Sequence, residues 1–141
     1  MESTAPARRA LSLFVALPVL LAALSGCGSS GASEPAPVIS DLSLTPTSVS
    51  AGKAATLTGT LTASDADAAV AVSSLDATIT LPGGASQALP PTPLQAPPGL
   101  AVVTFTLELT PPTAGSYEVA VFVTDTDGKT SNTLSATVDV E

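Results

Sequence analysis

Residues 54–63, AATLTGTLTA, alternate strictly, with Ala55, Leu57, Gly59, Leu61 and Ala63 on one side and Thr56, Thr58, Thr60 and Thr62 on the other. A period of two sends successive side chains to opposite faces of an extended strand, so this stretch carries one apolar face and one face of threonines. The same period returns at 38–45, 75–81, 101–109, 117–123 and 134–140, with Ile79, Phe105, Leu107, Tyr117, Val119 and Val121 among the inward positions. A shorter run at 86–89 lies between Pro82-Gly83-Gly84 and a proline-rich stretch at 90–99. None of this region shows the 3.6-residue spacing of a helix. A parallel sheet needs crossover helices, so the spacing predicts an all-β fold, a single seven-stranded antiparallel sandwich over residues 38–141.

Composition then narrows the chemistry. The 141-residue chain has a formal net charge of −8 and no His or Trp; both arginines, Arg8 and Arg9, and the only methionine lie within the first 26 residues. Beyond residue 26 two lysines, Lys53 and Lys129, face eleven carboxylates. Without imidazole there is no His-ligated zinc or copper and no Ser-His-Asp triad. Two lysines cannot neutralise a phosphate track, which excludes nucleic acid as a partner. Ser, Thr, Tyr117, two lysines and carboxylates remain for catalysis. Both lysines fall in turns, where their ammonium groups are expected to be solvated, so the reading is that the chain is not an enzyme.

The first 26 residues are a different material. Arg8-Arg9 precede an apolar run, residues 10–24, broken only by Ser12 and Pro18. This is the layout of a cleaved signal peptide. As a helix the run would reach roughly 22 Å, short of the ~30 Å hydrocarbon core. It closes on Leu24-Ser25-Gly26-Cys27, and Cys27 is the sole cysteine. That tetrapeptide resembles the lipobox of bacterial lipoproteins, in which an aliphatic and two small residues precede a cysteine that is diacylated on sulfur and becomes the mature N-terminus. The resemblance implies a signal peptide over 1–26, lipidation at Cys27, and a membrane anchor in the cell envelope. Residues 27–37, with the Gly/Ser/Pro/Ala segment GSSGASEPAP after the cysteine, read as a flexible tether. In the family's sorting logic, Gly28 rather than aspartate after the cysteine favours the outer membrane if the organism is double-membraned.

Within residues 38–141, Ala114-Gly115-Ser116-Tyr117-Glu118-Val119 resembles the start of the sixth strand of immunoglobulin-like and fibronectin-type-III-like domains. There a tyrosine two residues before a buried position bonds back to the preceding corner. The ending VFVTDTDGKTSNTLSATVDV is similar to the last hairpin of bacterial surface Ig-like repeats. The resemblance implies an Ig-like sandwich with Val119 where antibody domains carry a disulfide cysteine. The missing tryptophan separates it from antibody domains proper.

In that topology the loop between the second and third strands (64–69) and the loop between the last two (125–132) share one end of the sandwich. Asp65 and Asp67 then face Asp125 and Asp127, with Asn132 as a further oxygen donor, a hard-oxygen set suited to Ca²⁺. Aspartate and glycine are also the ordinary residues of exposed turns, where the carboxylate caps its own backbone. If the four carboxylates converge, replacing Asp125 and Asp127 by Asn is expected to raise the metal-free stability. Thr56, Thr58, Thr60 and Thr62 are expected beside Thr104 and Thr106 on one outer face, open to glycan or protein. Phe122 is expected to point outward as a partner contact. The functional reading is a membrane-anchored, non-enzymatic Ig-like binding or structural module, with an envelope protein or glycan as partner. A calcium-dependent adhesion or stability domain using the Asp-rich loops is the alternative.

Overall fold

The computed structural model describes residues 35–66, 71–94 and 96–141; Leu24, Ser25, Gly26 and Cys27, the tetrapeptide that resembles a lipobox, lie outside them. Among the described residues the regular structure is entirely β: β1 (Val38–Thr45), β2 (Ser48–Val49), β3 (Ala55–Ser64), β4 (Val72–Thr80), β5 (Ser86–Ala88), β6 (Thr92–Pro93), β7 (Ala101–Leu109), β8 (Gly115–Asp125) and β9 (Leu134–Val140). One sheet has the order β1-β3-β7 and the other the order β2-β9-β8-β4-β5, with β6 also on β4. The strands divide between two sheets, as the period-two pattern predicts, and in the order of an Ig-like sandwich, as the resemblance implies.

The core fills the gap between the sheets. Leu57, Leu61, Phe105 and Leu107 from one sheet meet Leu75, Ile79, Tyr117, Val119, Val121 and Val123 from the other, all buried. Gly59 explains itself here. It pairs with Phe105 across β3 and β7, and a Cβ at position 59 would run into the Phe105 ring. The glycine in the apolar face of β3 is therefore the seat of the largest side chain opposite. The tyrosine corner forms as expected: the Tyr117 hydroxyl donates to the Thr113 carbonyl at 2.9 Å, and Val119 is 1% exposed.

Four features depart from the sequence reading. Two strands are additional. Ser48–Val49 pairs parallel with Asp139–Val140, so the sandwich is not wholly antiparallel; two residues are too few to show a period. Thr92–Pro93 pairs with Leu75 and Ser74 of β4, and a proline is tolerated there because β6 lies at the sheet edge. The third strand begins at Val72 rather than Leu75, because a register shift between Val72 and Ser74 breaks the alternation. The Ser73 hydroxyl spans that irregularity, placed at 3.0 Å from the carbonyl oxygens of both Thr124 and Asp125. Finally, β8 runs on to Asp125, so that residue belongs to a strand end rather than to an exposed loop.

Candidate functional site

The topology brings the turn after β3 and the turn after β8 to one end of the sandwich, as expected, and of the four aspartates Asp65, Asp125 and Asp127 are among the described residues. Asp125 follows Val121 and Val123 on the inward face of β8 and is 3% exposed. Its Oδ1 accepts the backbone N–H groups of Asp127 (2.9 Å) and Lys129 (2.8 Å). The Asp125 N–H in turn donates to the Lys129 carbonyl at 2.9 Å, and Gly128, at φ 81°, completes the tight turn. This carboxylate organises its own hairpin. Its Oδ2 is buried and has no hydrogen-bond partner. Asp127 is exposed, Asp65 is half-buried, and Asp67 lies outside the described residues. Among the described residues no group of three or more His, Cys, Asp or Glu side chains is placed to hold a metal ion.

Asn132 has a different role from the one the spacing suggests. Its Oδ1 accepts the Ile39 N–H at 2.8 Å and its Nδ2 donates to the Ile39 carbonyl at 3.0 Å. The amide thus imitates a ladder partner and pins the start of β1 to the last hairpin. One of the two lone pairs on its oxygen is taken by this bond.

The outer face of the three-stranded sheet is the most regular polar surface. Thr58 lies between Thr45 and Thr106, Thr60 between Ser43 and Thr104, and Thr62 between Ser40 and Val102. Strands about 4.8 Å apart with alternate residues about 6.8 Å apart make these hydroxyls a two-dimensional array. Thr45, Thr58, Thr104, Thr106, Ser40 and Ser43 are exposed, whereas Thr60 and Thr62 are half-buried. The sequence pattern anticipates the threonines of β3 and β7 but not the contribution of β1.

Phe122 does point to the outer face of the other sheet, opposite Asp76, but it is half-buried there. Lys53 is exposed beside Gly52, as its turn position implies. A groove of about 270 Å³ opens between β4, β5 and the end of β7, lined mainly by Ile79, Leu81, Leu89, Leu109, Pro111 and Tyr117, with Glu108 its one ionisable carboxylate. No helix among the described residues is long and apolar enough to cross a membrane.

No protein-family model matches the chain, and no curated protein matches it in sequence. Solved structures match its fold. The alkylpurine DNA glycosylase AlkC of Pseudomonas fluorescens, bound to DNA containing an abasic site analog, aligns with a TM-score of 0.50 at 17% identity over 75% of this chain. The sporulation control protein Spo0M of Bacillus subtilis aligns with a TM-score of 0.50 at 13% identity over 76% of it. This chain spans only 30% of the first and 50% of the second. The PKD domain of an M14-like peptidase from Thermoplasmatales archaeon SCGC AB-540-F20 aligns at 0.47 and 16% identity, covering 77% of this chain and 98% of that domain. What the first two share with the present chain, over the aligned part, is the fold.

Proposed function

We propose that the chain is a lipid-anchored lipoprotein of the cell envelope whose Ig-like sandwich is a non-enzymatic binding or structural module, with the outer face of β1, β3 and β7 as its contact surface for an envelope glycan. The observation that carries the reading is the array of hydroxyls in register across three strands. Hydroxyls donate and accept at once, and so match the hydroxyls of a polysaccharide without a fixed charge pattern. The lipobox at Leu24-Ser25-Gly26-Cys27 supports the address, and the acidic balance of the chain supports the absence of nucleic acid among its partners. The test is co-sedimentation of the full chain with purified peptidoglycan and with other envelope polysaccharides. Thr58→Glu with Thr104→Glu, both exposed, is expected to lower retention about tenfold. Equal retention of wild type and variant would reduce the face to solvated threonines.

A second reading, calcium-dependent stabilisation, is favoured by one observation, the buried Asp125 Oδ2 without a hydrogen-bond partner. A cation would supply what that oxygen lacks. Ca²⁺ at 100 times its dissociation constant should then add about 2.7 kcal/mol to unfolding, with a smaller effect of Mg²⁺. An unchanged melting temperature in millimolar Ca²⁺ at low ionic strength removes this reading and leaves the first intact.

A further inference from the structure

Among the described residues three large apolar side chains are exposed, Val38 (55%), Leu100 (75%) and Val102 (75%), and the strand pairing places them towards one corner of the sandwich. Val38 pairs with Ser64 and Ala101 pairs with Ala63, and Leu100 immediately precedes Ala101 at the start of β7. Val102 occupies the next outward position of β7, beside Thr62. The hydroxyl array thus gives way to aliphatic side chains at a single corner. Leu100 is carried by Pro97-Pro98-Gly99, where Gly99 turns the chain at φ 90°.

That corner is also where the chain arrives from its N-terminal segment, since Val38 is the first residue of β1. The arrival is fixed in place, because Asn132 holds both backbone groups of Ile39. Between Cys27 and Val38 the sequence is polar and rich in Gly, Ser and Pro. Eleven residue steps separate Cys27 from Val38, which bounds the distance between them at about 40 Å. An acyl group on Cys27 would therefore keep this corner, rather than the opposite end with Lys53 and Glu141, within that reach of the bilayer.

We propose that the corner formed by Val38, Leu100 and Val102 rests on the surface of a zwitterionic bilayer and sets the orientation of the domain on its membrane. The proposal rests on the lipid-anchor reading above. Asp41 and Asp65 flank the corner, in β1 and directly after β3, so anionic headgroups weaken the contact and zwitterionic ones permit it. With the corner down, the hydroxyl array stands upright beside the membrane, open along its whole length to a glycan in the aqueous space.

The test uses the full chain, purified from membranes and reconstituted in vesicles of phosphatidylcholine and phosphatidylethanolamine that contain a nitroxide-labelled lipid. Mass spectrometry first reads the state of Cys27. Because an acylated Cys27 is blocked, Val102→Cys or Thr106→Cys provides the one thiol for a fluorescent label. Thr106 lies on the same outward face, two alternate positions along β7. Quenching at position 102 is expected to exceed that at 106 at least twofold, to fall when half the lipid is phosphatidylglycerol, and to drop to the 106 level in Val38→Asp with Leu100→Asp. Equal quenching at both positions in an acylated, vesicle-bound chain overturns the bilayer contact while the anchor stands. An unacylated Cys27 and a chain that does not float with vesicles overturn both. Shielding of position 102 in native envelopes but not in pure lipid assigns the corner to a protein partner and overturns the proposal.

Discussion

At the end of the sandwich where β3 passes to β4 and β8 to β9, polar side chains complete what the strand ladders leave open. Asp125 Oδ1 takes two amides, Asn132 takes both backbone groups of Ile39, and the Ser131 hydroxyl accepts the Val123 N–H at 3.0 Å. At the opposite end the same task falls to backbone and apolar groups. Gly52 donates to the Pro111 carbonyl at 2.7 Å, Ala51 to the Glu141 carbonyl at 2.7 Å, Pro111 is fully buried, and Tyr117 brings its ring into the core with the hydroxyl on Thr113. The difference follows from composition. The turn DTDGKTSN has no apolar residue to bury, whereas TPPTAGSY supplies prolines and an aromatic ring. A turn without apolar surface is ordered by side chain to backbone hydrogen bonds, and those are costly to lose when their partners are buried.

Both ends depend on a common core, and the largest effect is expected there. Phe105→Ala removes the ring seated over Gly59 and should cost roughly 3 to 5 kcal/mol, read by urea unfolding. A neutral result would mean that the two sheets do not pack as described. The polar end is next. Asp125→Ala strips two amides of a buried charged acceptor and should cost about 2 to 3 kcal/mol. Asp125→Asn keeps an acceptor oxygen and should cost about half as much. This reverses the expectation drawn from converging carboxylates, under which the asparagine stabilises; a rise in the metal-free melting temperature would restore it. Asn132→Ala should cost about 1 to 2 kcal/mol and speed hydrogen exchange at the Ile39 amide, because the substitution leaves both backbone groups of that residue to water.

Much of this was legible in the sequence, and the rest was hidden for identifiable reasons. Period two located six of the main strands, the flanking proline and glycine turns bracketed a seventh at 86–89, and the tyrosine before Val119 located its corner. The inward turn of Asp125 was visible too, since Val121, Val123 and Asp125 continue one alternation; the pull of an Asp-Gly turn signal obscured it. Val72-Ser73-Ser74 hid the start of β4 because a bulge adds a residue and breaks the period. The partnership of Asn132 with Ile39 spans 93 residues and leaves no local trace. The aliphatic corner was equally hidden. Val38, Leu100 and Val102 are unremarkable singly, and only the pairing of β3 with both neighbours places them towards one corner.

The smallest expected effect is the sharpest check on the comparison between the ends. Tyr117→Phe deletes one hydroxyl and leaves the ring, which is 3% exposed as part of the whole residue, in its place. The lost bond runs to the carbonyl of Thr113, an exposed residue, so water can replace the donor. The net cost should therefore be about 1 kcal/mol. At the other end Asp125→Ala removes two hydrogen bonds at once, both made by a side chain that is 3% exposed, which is why Asp125→Ala is placed above it. Measured by urea unfolding in the same buffer, Tyr117→Phe should be the milder change by at least 1 kcal/mol. If it instead equals or exceeds Asp125→Ala, the corner rather than the carboxylate turn is the end that holds the sandwich shut, and the stabilising weight moves to the apolar side of the comparison.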